Sequence, residues 1–434
     1  MEATTSTANQ PQSVNKRRHT ARTSVEALGD DVLCMIFVLL DLVHLIRCSA
    51  VCKSWSMVIR KLKLLQLQYH KQQHVDSFGL SDASTYSERL LNQQLGQLAM
   101  DMQSWSLKEG PCDVFRWKCH LQGFKKCRMK MGLILTGVGD KVMRLWSAET
   151  GKGLDEYILP DKAPLFDFDF DEGKVVGLVG TRICIWRRVG SRDIFSSREG
   201  LFARGLCMCY VDPQAVIGCE DGKVRVFDMY SRKISQIIKM HPGSVSSLCF
   251  TDEQMIISGS SLGSIAISDL SSDQQVATLG TTGSAGIRTL CFNPSSYQLF
   301  AGSSAGYASC WDIRMSKRLW ESRVSPNMLY SMHHLRNDKL TLVVGGIDGV
   351  LRIIDQDTGT VLSRWIVEEN GIIANHSMGK NRFLERKKGI KLSEDTRIDL
   401  MPNRPPITCL AVGMQKVVTT HSDRFLRVWK FHNR

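Results

Sequence analysis

The 434-residue sequence contains no run of about 20 apolar residues such as a membrane-spanning helix needs. The longest apolar stretch near its N-terminus, Val32–Leu40, is nine residues long and is bounded by Asp30, Asp31 and Asp41. Its first 25 residues hold a basic cluster, Lys16-Arg17-Arg18, without the apolar segment that follows such a cluster in a secretory signal. The expectation is therefore neither a membrane protein nor a secreted one. The 14 cysteines are scattered, mostly through apolar runs such as Ser247-Leu248-Cys249-Phe250, and read as reduced thiols that pack like small hydrophobes. Hydrophobic residues at 43% and charged residues at 23% exclude a wholly disordered, collagen-like or multi-span membrane chain.

Signatures of catalysis are missing as well. There is no Gly-rich phosphate loop, no zinc-spaced Cys/His set and no nucleophile elbow; Gly177-Leu178-Val179-Gly180 lies among strand residues with no helix to follow. Cys207-Met208-Cys209 puts two thiols on one strand face but has no second pair to complete a metal site, so core packing is the expectation. His333-His334 has no acidic or cysteine partner nearby in sequence and reads as structural. The chain is expected to be no enzyme, with no catalytic residue, no metal and no cofactor.

What is present is an excess of positive charge and a change of character along the chain. Lys plus Arg exceed Asp plus Glu by 13, which favours acidic partners in principle. At ~150 residues per domain the length suggests roughly three domains. Residues 1–23, rich in Thr, Ser, Gln and Asn, are too polar to bury a core and read as a disordered tail. Residues 24–65 carry apolar positions at helical spacing. Residues 66–111 read as a helical linker, with Leu90, Leu91, Leu95, Leu98 and Met102 recurring every 3 to 4 residues between Tyr86 and Trp105. From 112 to 434 short apolar runs alternate with Gly, Asp and Ser turns.

This last region repeats. Runs closing on Trp146, Trp186, Phe227, Ser268, Trp311, Ile354 and Trp429 follow one another at 40 to 43 residues, except for a last step of 75. Each run is preceded by a hairpin-type turn, Asp221-Gly222 and Asp348-Gly349 among them, and each turn by another apolar run. The unit is an antiparallel sheet, and the period, four strands per unit and the Trp311-Asp312 dipeptide resemble the WD-repeat family. The other copies are degenerate, and the family's buried Asp-His-Ser/Thr-Trp network is not complete in any of them, although Asp423 and Trp429 keep parts of it. The resemblance implies a mainly β protein built on a seven-bladed propeller. The seventh copy supplies three strands, so Val114-Phe115-Arg116-Trp117 is the strand available to complete it. The surplus before the last copy, 366–404, is highly charged and reads as a loop insertion.

The N-terminal module is expected to be three short helices, with Asp30 and Asp41 as N-caps. Val32–Leu40 is apolar on every side, more than a bundle of this size can cover, so part of it must meet a partner. Leu28, the acidic pair Asp30-Asp31, this apolar helix, and Val51-Cys52-Lys53 followed by Trp55 resemble the F-box family; Gly29 stands where the family has proline. The resemblance implies a small three-helix F-box module and a non-catalytic substrate receptor of an SCF-type (Skp, cullin, F-box) ubiquitin ligase. Leu28, Val32, Ile36, Phe37, Leu40, Val51, Cys52, Lys53 and Trp55 are then the adaptor-facing or module-core residues, and the propeller binds the protein to be ubiquitinated. The partners implied are a Skp-type adaptor, through it a cullin, and an unidentified substrate, acidic or phosphorylated. The localisation expected is nucleus, cytoplasm or both.

Two further expectations concern the propeller surface. The resemblance to the propeller family implies that the turns between the second and third strands share a rim with the loops leading into the blades; here those turns carry Lys141, Arg182, Lys223 and Arg424, on blades 1, 2, 3 and 7, with Arg204 and Arg288 expected on nearby entry loops. An arc of cations suits an acidic or phosphorylated peptide, unless Asp140, Glu220, Asp221 and Asp423 neutralise it. The alternative to a ligase subunit is a nuclear WD-repeat scaffold for RNA-processing or chromatin complexes, suggested by the net charge and by Arg386-Lys387-Lys388. Strands without interleaved exposed aromatics argue against direct nucleic-acid binding.

Overall fold

The structure, a computed structural model, describes residues 30–40, 42–49, 51, 53–61, 100–137, 141–160, 163–189, 194–196, 203–272, 274–280, 285–335, 338–368, 374–377, 383–396 and 404–432. The chain divides into two units, Met1–Ala99 and Met100–Arg434. The expected tail 1–23, Lys16-Arg17-Arg18, Leu28, Asp41, Cys52, and the linker up to residue 99 lie outside the described residues.

In the first unit three helices form, α1 (Asp30–Val38), α2 (Leu42–Ser49) and α3 (Lys53–Lys61). Leu33 and Phe37, one turn apart on α1, are buried with Leu45 of α2 and Val58 and Ile59 of α3. Trp55 meets Phe37 edge-on, ring centroids 5.2 Å apart. Side chains four apart share a helix face, which is why this pair and not its neighbours makes the core.

The second unit is built of antiparallel four-stranded blades. Blade 1 is Lys126–Lys130, Leu133–Gly137, Val142–Ser147 and Gly153–Ile158; blade 2 is Leu165–Phe170, Lys174–Val179, Arg182–Arg187 and Ile194–Ser196. Blade 3 is Gly205–Val211, Gln214–Cys219, Lys223–Asp228 and Lys233–Lys239; blade 4 is Val245–Phe250, Met255–Ser260, Ser264–Asp269 and Gln274–Gly280. Blade 5 is Ile287–Asn293, Gln298–Ser303, Tyr307–Asp312 and Lys317–Arg323; blade 6 is Leu329–His333, Thr341–Gly346, Leu351–Asp355 and Val361–Val367. Blade 7 has Cys409–Gly413, Lys416–Thr420 and Phe425–Phe431 from the C-terminal end, and its outer strand, Cys112–Lys118, comes from before blade 1. The first strand of each blade packs against that of the next, and Cys409–Gly413 against Lys126–Lys130 closes a ring of seven.

Closure rests on seven paired residues, from Cys112 opposite Phe431 to Lys118 opposite Phe425. Val114 and Trp117 carry their side chains into the core, so the strand fills the blade as well as capping its edge. Side chains stitch neighbouring first strands together: the Met208 amide donates to Asp167 at 3.0 Å, the Met332 amide to Thr289 at 3.2 Å and the Leu410 amide to Ser331 at 3.0 Å. Along the centre of the ring runs a cavity of about 760 Å³ lined by residues of all seven first strands, including Arg128, Asp167, Cys207, Ser246, Arg288, Tyr330 and Cys409.

Two sequence expectations are corrected here. Residues 100–109 are helical and belong with the propeller: Leu107 is fully buried, and its carbonyl accepts from Ser363 Oγ and Trp365 Nε1 at 3.2 and 3.1 Å. The propeller unit thus begins before residue 112. The segment 366–404 is not one loop, because Ala374–Ser377 and Phe383–Lys391 are strands, the second pairing with Val361–Val367 on one edge and with Cys112–Lys118 on the other. It joins the outer edges of blades 6 and 7 into one sheet. Its charges read as loop because their partners lie some 270 residues away: Arg386 pairs with Asp113 at 2.6 Å, and Glu385 with Arg116.

The buried His-Thr-Trp network is more complete than the sequence shows. In blade 1 His120 Nε2 meets Thr136 Oγ1 at 2.8 Å and the Trp146 indole donates to the same oxygen at 2.9 Å; in blade 7 His421, Thr419 and Trp429 repeat this at 2.8 and 2.9 Å. His120 is hidden in the sequence because it sits in the loop leading into blade 1. His333 and His334 are packed side by side, and His334 faces two backbone carbonyls, of Leu335 and Phe292. Cys207 and Cys209 direct their thiols at the carbonyls of Val245 and Leu248 in blade 4.

Candidate functional site

Two surfaces carry the site residues expected from the sequence, one in each unit. On α1, Leu33 and Phe37 are consumed by the core, which leaves Val32, Met35 and Ile36, and Leu39 in the turn that follows, at steps of three and four along the opposite side. Met35 is 72% exposed and Leu39 85%. Val51 and Met57 are also largely exposed. Among the described residues of this unit, three helices of 8 to 9 residues, no further layer covers this stripe.

The sequence-predicted adaptor residues therefore separate. Val32, Ile36 and Val51 are on the exposed side, Phe37 is core, and Leu40 and Trp55 are half-buried. Lys53 opens α3. Met35, Leu39 and Met57 were not among the predicted residues; the signal that finds the first two is their spacing from Val32.

The second surface is the propeller rim formed by the turns between second and third strands. Backbone bonds tie these turns to the loops leading into the blades: the Gly180 amide donates to Pro164 O at 2.8 Å, Glu220 to Arg204 O at 2.9 Å, Ser261 to Ser244 O at 2.9 Å and Ile347 to Met328 O at 3.1 Å. Turns and loops thus form one rim. Gly222, at φ +75°, turns its α-carbon against the His241 carbonyl, where a Cβ would sit 2.1 Å from the oxygen, so the turn requires glycine.

Lys141, Arg182, Arg204 and Arg424 are exposed on this rim and Lys223 is half-buried. Arg204 lies over the Phe166 ring at 4.7 Å. Arg288 is not in a loop: it is on the first strand of blade 5 and lines the central cavity. Among the described residues none of these six forms an ion pair.

The rim acids have other work. Asp221, Asp348 and Asp423 each bind the arginine four residues on: Arg225 at 2.8 Å, Arg352 at 3.1 Å and Arg427 at 2.7 Å, all three guanidinium groups being buried on a third strand. The bond to Arg225 holds the Asp221 carboxyl below the usual range. These carboxylates therefore balance interior charge rather than the exposed cations. Glu220 accepts from the Arg204 backbone at 3.3 Å, and Asp140 lies outside the described residues.

Among the described residues no group of three His, Cys, Asp or Glu is placed to hold a metal, and no helix is long and apolar enough to cross a membrane.

Comparison with known proteins agrees with this division. Residues 26–67 match the F-box domain family, and residues 273–312 match the family described as WD domain, G-beta repeat. The second match runs from the outer strand of blade 4 through the third strand of blade 5, so the sequence repeat is offset from the blade by one strand. The chain is 47% identical over 445 residues to an F-box/WD-40 repeat-containing protein of Arabidopsis thaliana, covering 97% of each. It is 24% identical over 234 residues to meiotic fizzy-related protein 1 of Schizosaccharomyces pombe (51% of this chain, 55% of the relative). To the COMPASS component SWD3 of Saccharomyces cerevisiae it is 27% identical over 157 residues (35% and 49%).

Proposed function

The chain belongs to the F-box/WD-40 repeat proteins, and on that premise we propose that it is the substrate-recognition subunit of an SCF-type ubiquitin ligase. The F-box docks on a Skp-type adaptor and, through it, on a cullin; the propeller holds the protein to be ubiquitinated; the chain itself catalyses no step. The observation that carries this reading is the stripe Val32, Met35, Ile36 and Leu39, apolar and exposed among the described residues while Leu33 and Phe37 fill the core.

Mechanistically the adaptor contributes the layer that covers this stripe. Burying one large aliphatic side chain is worth about 1.5–3 kcal/mol, so placing charges at two stripe positions removes two such gains and buries two unpaired ammonium groups in the interface. The full-length Met35→Lys/Ile36→Lys protein is expected to lose adaptor and cullin from affinity capture by at least 100-fold, with an unchanged propeller melting transition. Capture equal to wild type would overturn the proposal, and a scaffold would bring neither partner with either protein.

The rim is the proposed substrate site, and its partner an acidic or phosphorylated segment. Guanidinium groups pair with phosphate through two parallel hydrogen bonds, and the rim acids that would compete are already bonded to Arg225, Arg352 and Arg427. Arg182→Glu with Arg424→Glu is expected to abolish substrate capture and leave adaptor binding intact. Substrate binding at unchanged strength across a range of salt concentrations would place the site elsewhere. We assign the protein to the nucleus, the cytoplasm or both.

A further inference from the structure

The ring closes where blade 7 meets blade 1, and two thiols face each other across that seam. Cys127 lies on the first strand of blade 1 and Cys409 on the first strand of blade 7; both are buried in the same apolar cluster, with Phe124, Ile134, Trp146, Val418 and Val428. Cys409 Sγ is 3.4 Å from the Cys127 carbonyl oxygen, across 282 residues of sequence. Cys409 is also among the residues that line the central cavity.

Cys409 differs from the other buried thiols, its neighbour Cys127 included, which the bond to Cys409 and burial push well above the usual thiol value. Burial pushes Cys112 and Cys207 well up and Cys249 to about 12. Cys409 is instead pulled down to about 6, first by a hydrogen bond from the Cys127 thiol and then by the Arg128 guanidinium. The charged and titratable groups facing the pair are Cys119, Lys126 and Arg128, the last two tied to Asp167. Of the two sulfurs that of Cys409 ionises the more readily, and Cys127 lies beside it on the facing strand.

We propose that Cys127 and Cys409 form an oxidisable dithiol, a modification site at which peroxide converts the non-covalent closure of the propeller into a covalent one. The Cys409 thiolate attacks one oxygen of hydrogen peroxide, giving a sulfenic acid and hydroxide. The Cys127 sulfur, losing its proton, displaces the sulfenic hydroxyl as water and forms the disulfide. Two thiols and one peroxide give one disulfide and two waters; sulfur is oxidised and peroxide reduced. A link between chain positions so far apart in sequence restricts the unfolded chain strongly and raises the melting temperature of the ring.

The test uses the full-length protein. After near-stoichiometric hydrogen peroxide, alkylation of the remaining thiols with iodoacetamide and non-reducing digestion, mass spectrometry should find the Cys127 and Cys409 peptides joined and lighter by two hydrogens. Dithiothreitol should reverse both the link and the rise in melting temperature. In Cys127→Ser, and in Cys127→Ala should the serine variant fail to fold, Cys409 should be trapped as a sulfenic acid by dimedone instead. The proposal fails if Cys127 and Cys409 are both still alkylated when the half-buried Cys48 is oxidised, or if the disulfide recovered joins other cysteines.

Discussion

A chain lacking residues 1–120 is expected to aggregate, whereas one lacking residues 1–99 should fold into a stable propeller. The longer deletion removes Cys112–Lys118, the outer strand of blade 7, and with it the fully buried Val114 and the near-buried Trp117. It strips a partner from Phe425–Phe431 and from Phe383–Lys391 together, because the lost strand lies between them. Truncating one large core side chain costs about 2–5 kcal/mol, and here several go at once, against a total stability of about 5–15 kcal/mol. Two bare edges then offer their amides and carbonyls to other chains. A deletion of 1–110 should fall between the two, since it takes Leu107 from its place beneath Trp365 but spares the strand. Gel filtration and thermal melting of the three proteins decide the matter, and equal melting temperatures would mean that the ring closes without Cys112–Lys118.

Asp348→Ala should destabilise the propeller by about 3–5 kcal/mol, the cost of leaving a buried charge without its partner. Its side chain is 8% exposed and that of Arg352 only 2%, so water cannot take over the guanidinium. Asp221→Ala is expected to cost distinctly less, because the Asp221 side chain is 30% exposed and solvent reaches that pair. Replacing both members, Asp348→Leu with Arg352→Met, should restore much of the loss, since two apolar groups leave no orphan charge. Denaturant unfolding of the four proteins measures each difference. Equal losses for Asp348→Ala and Asp221→Ala would show that burial does not set the strength of these pairs.

The pairs at Asp221, Asp348 and Asp423 show what was legible in advance and what was not. Each acid stands four residues before its arginine, so the pattern is local and could be read from the sequence, yet spacing alone does not say that the arginine points inward. The same holds for α1. Its apolar character and the need for a partner are written in Val32–Leu40, but Phe37 became core and Ile36 surface only when α2 and α3 packed on one side.

By itself the sequence determined the F-box, the repeat, the number of blades and the strand that closes them, because hydrophobic period, turn residues and blade length are local properties of a chain. Tertiary structure alone decided three things: that the charged segment Phe383–Lys391 is a strand between blades 6 and 7, that residues 100–109 belong with the propeller, and that Cys127 meets Cys409. The physical reason is common to all three. Each contact joins residues more than 250 positions apart or depends on an edge that exists only once the ring has closed, and nothing in a local pattern encodes which distant edge will be left to pair.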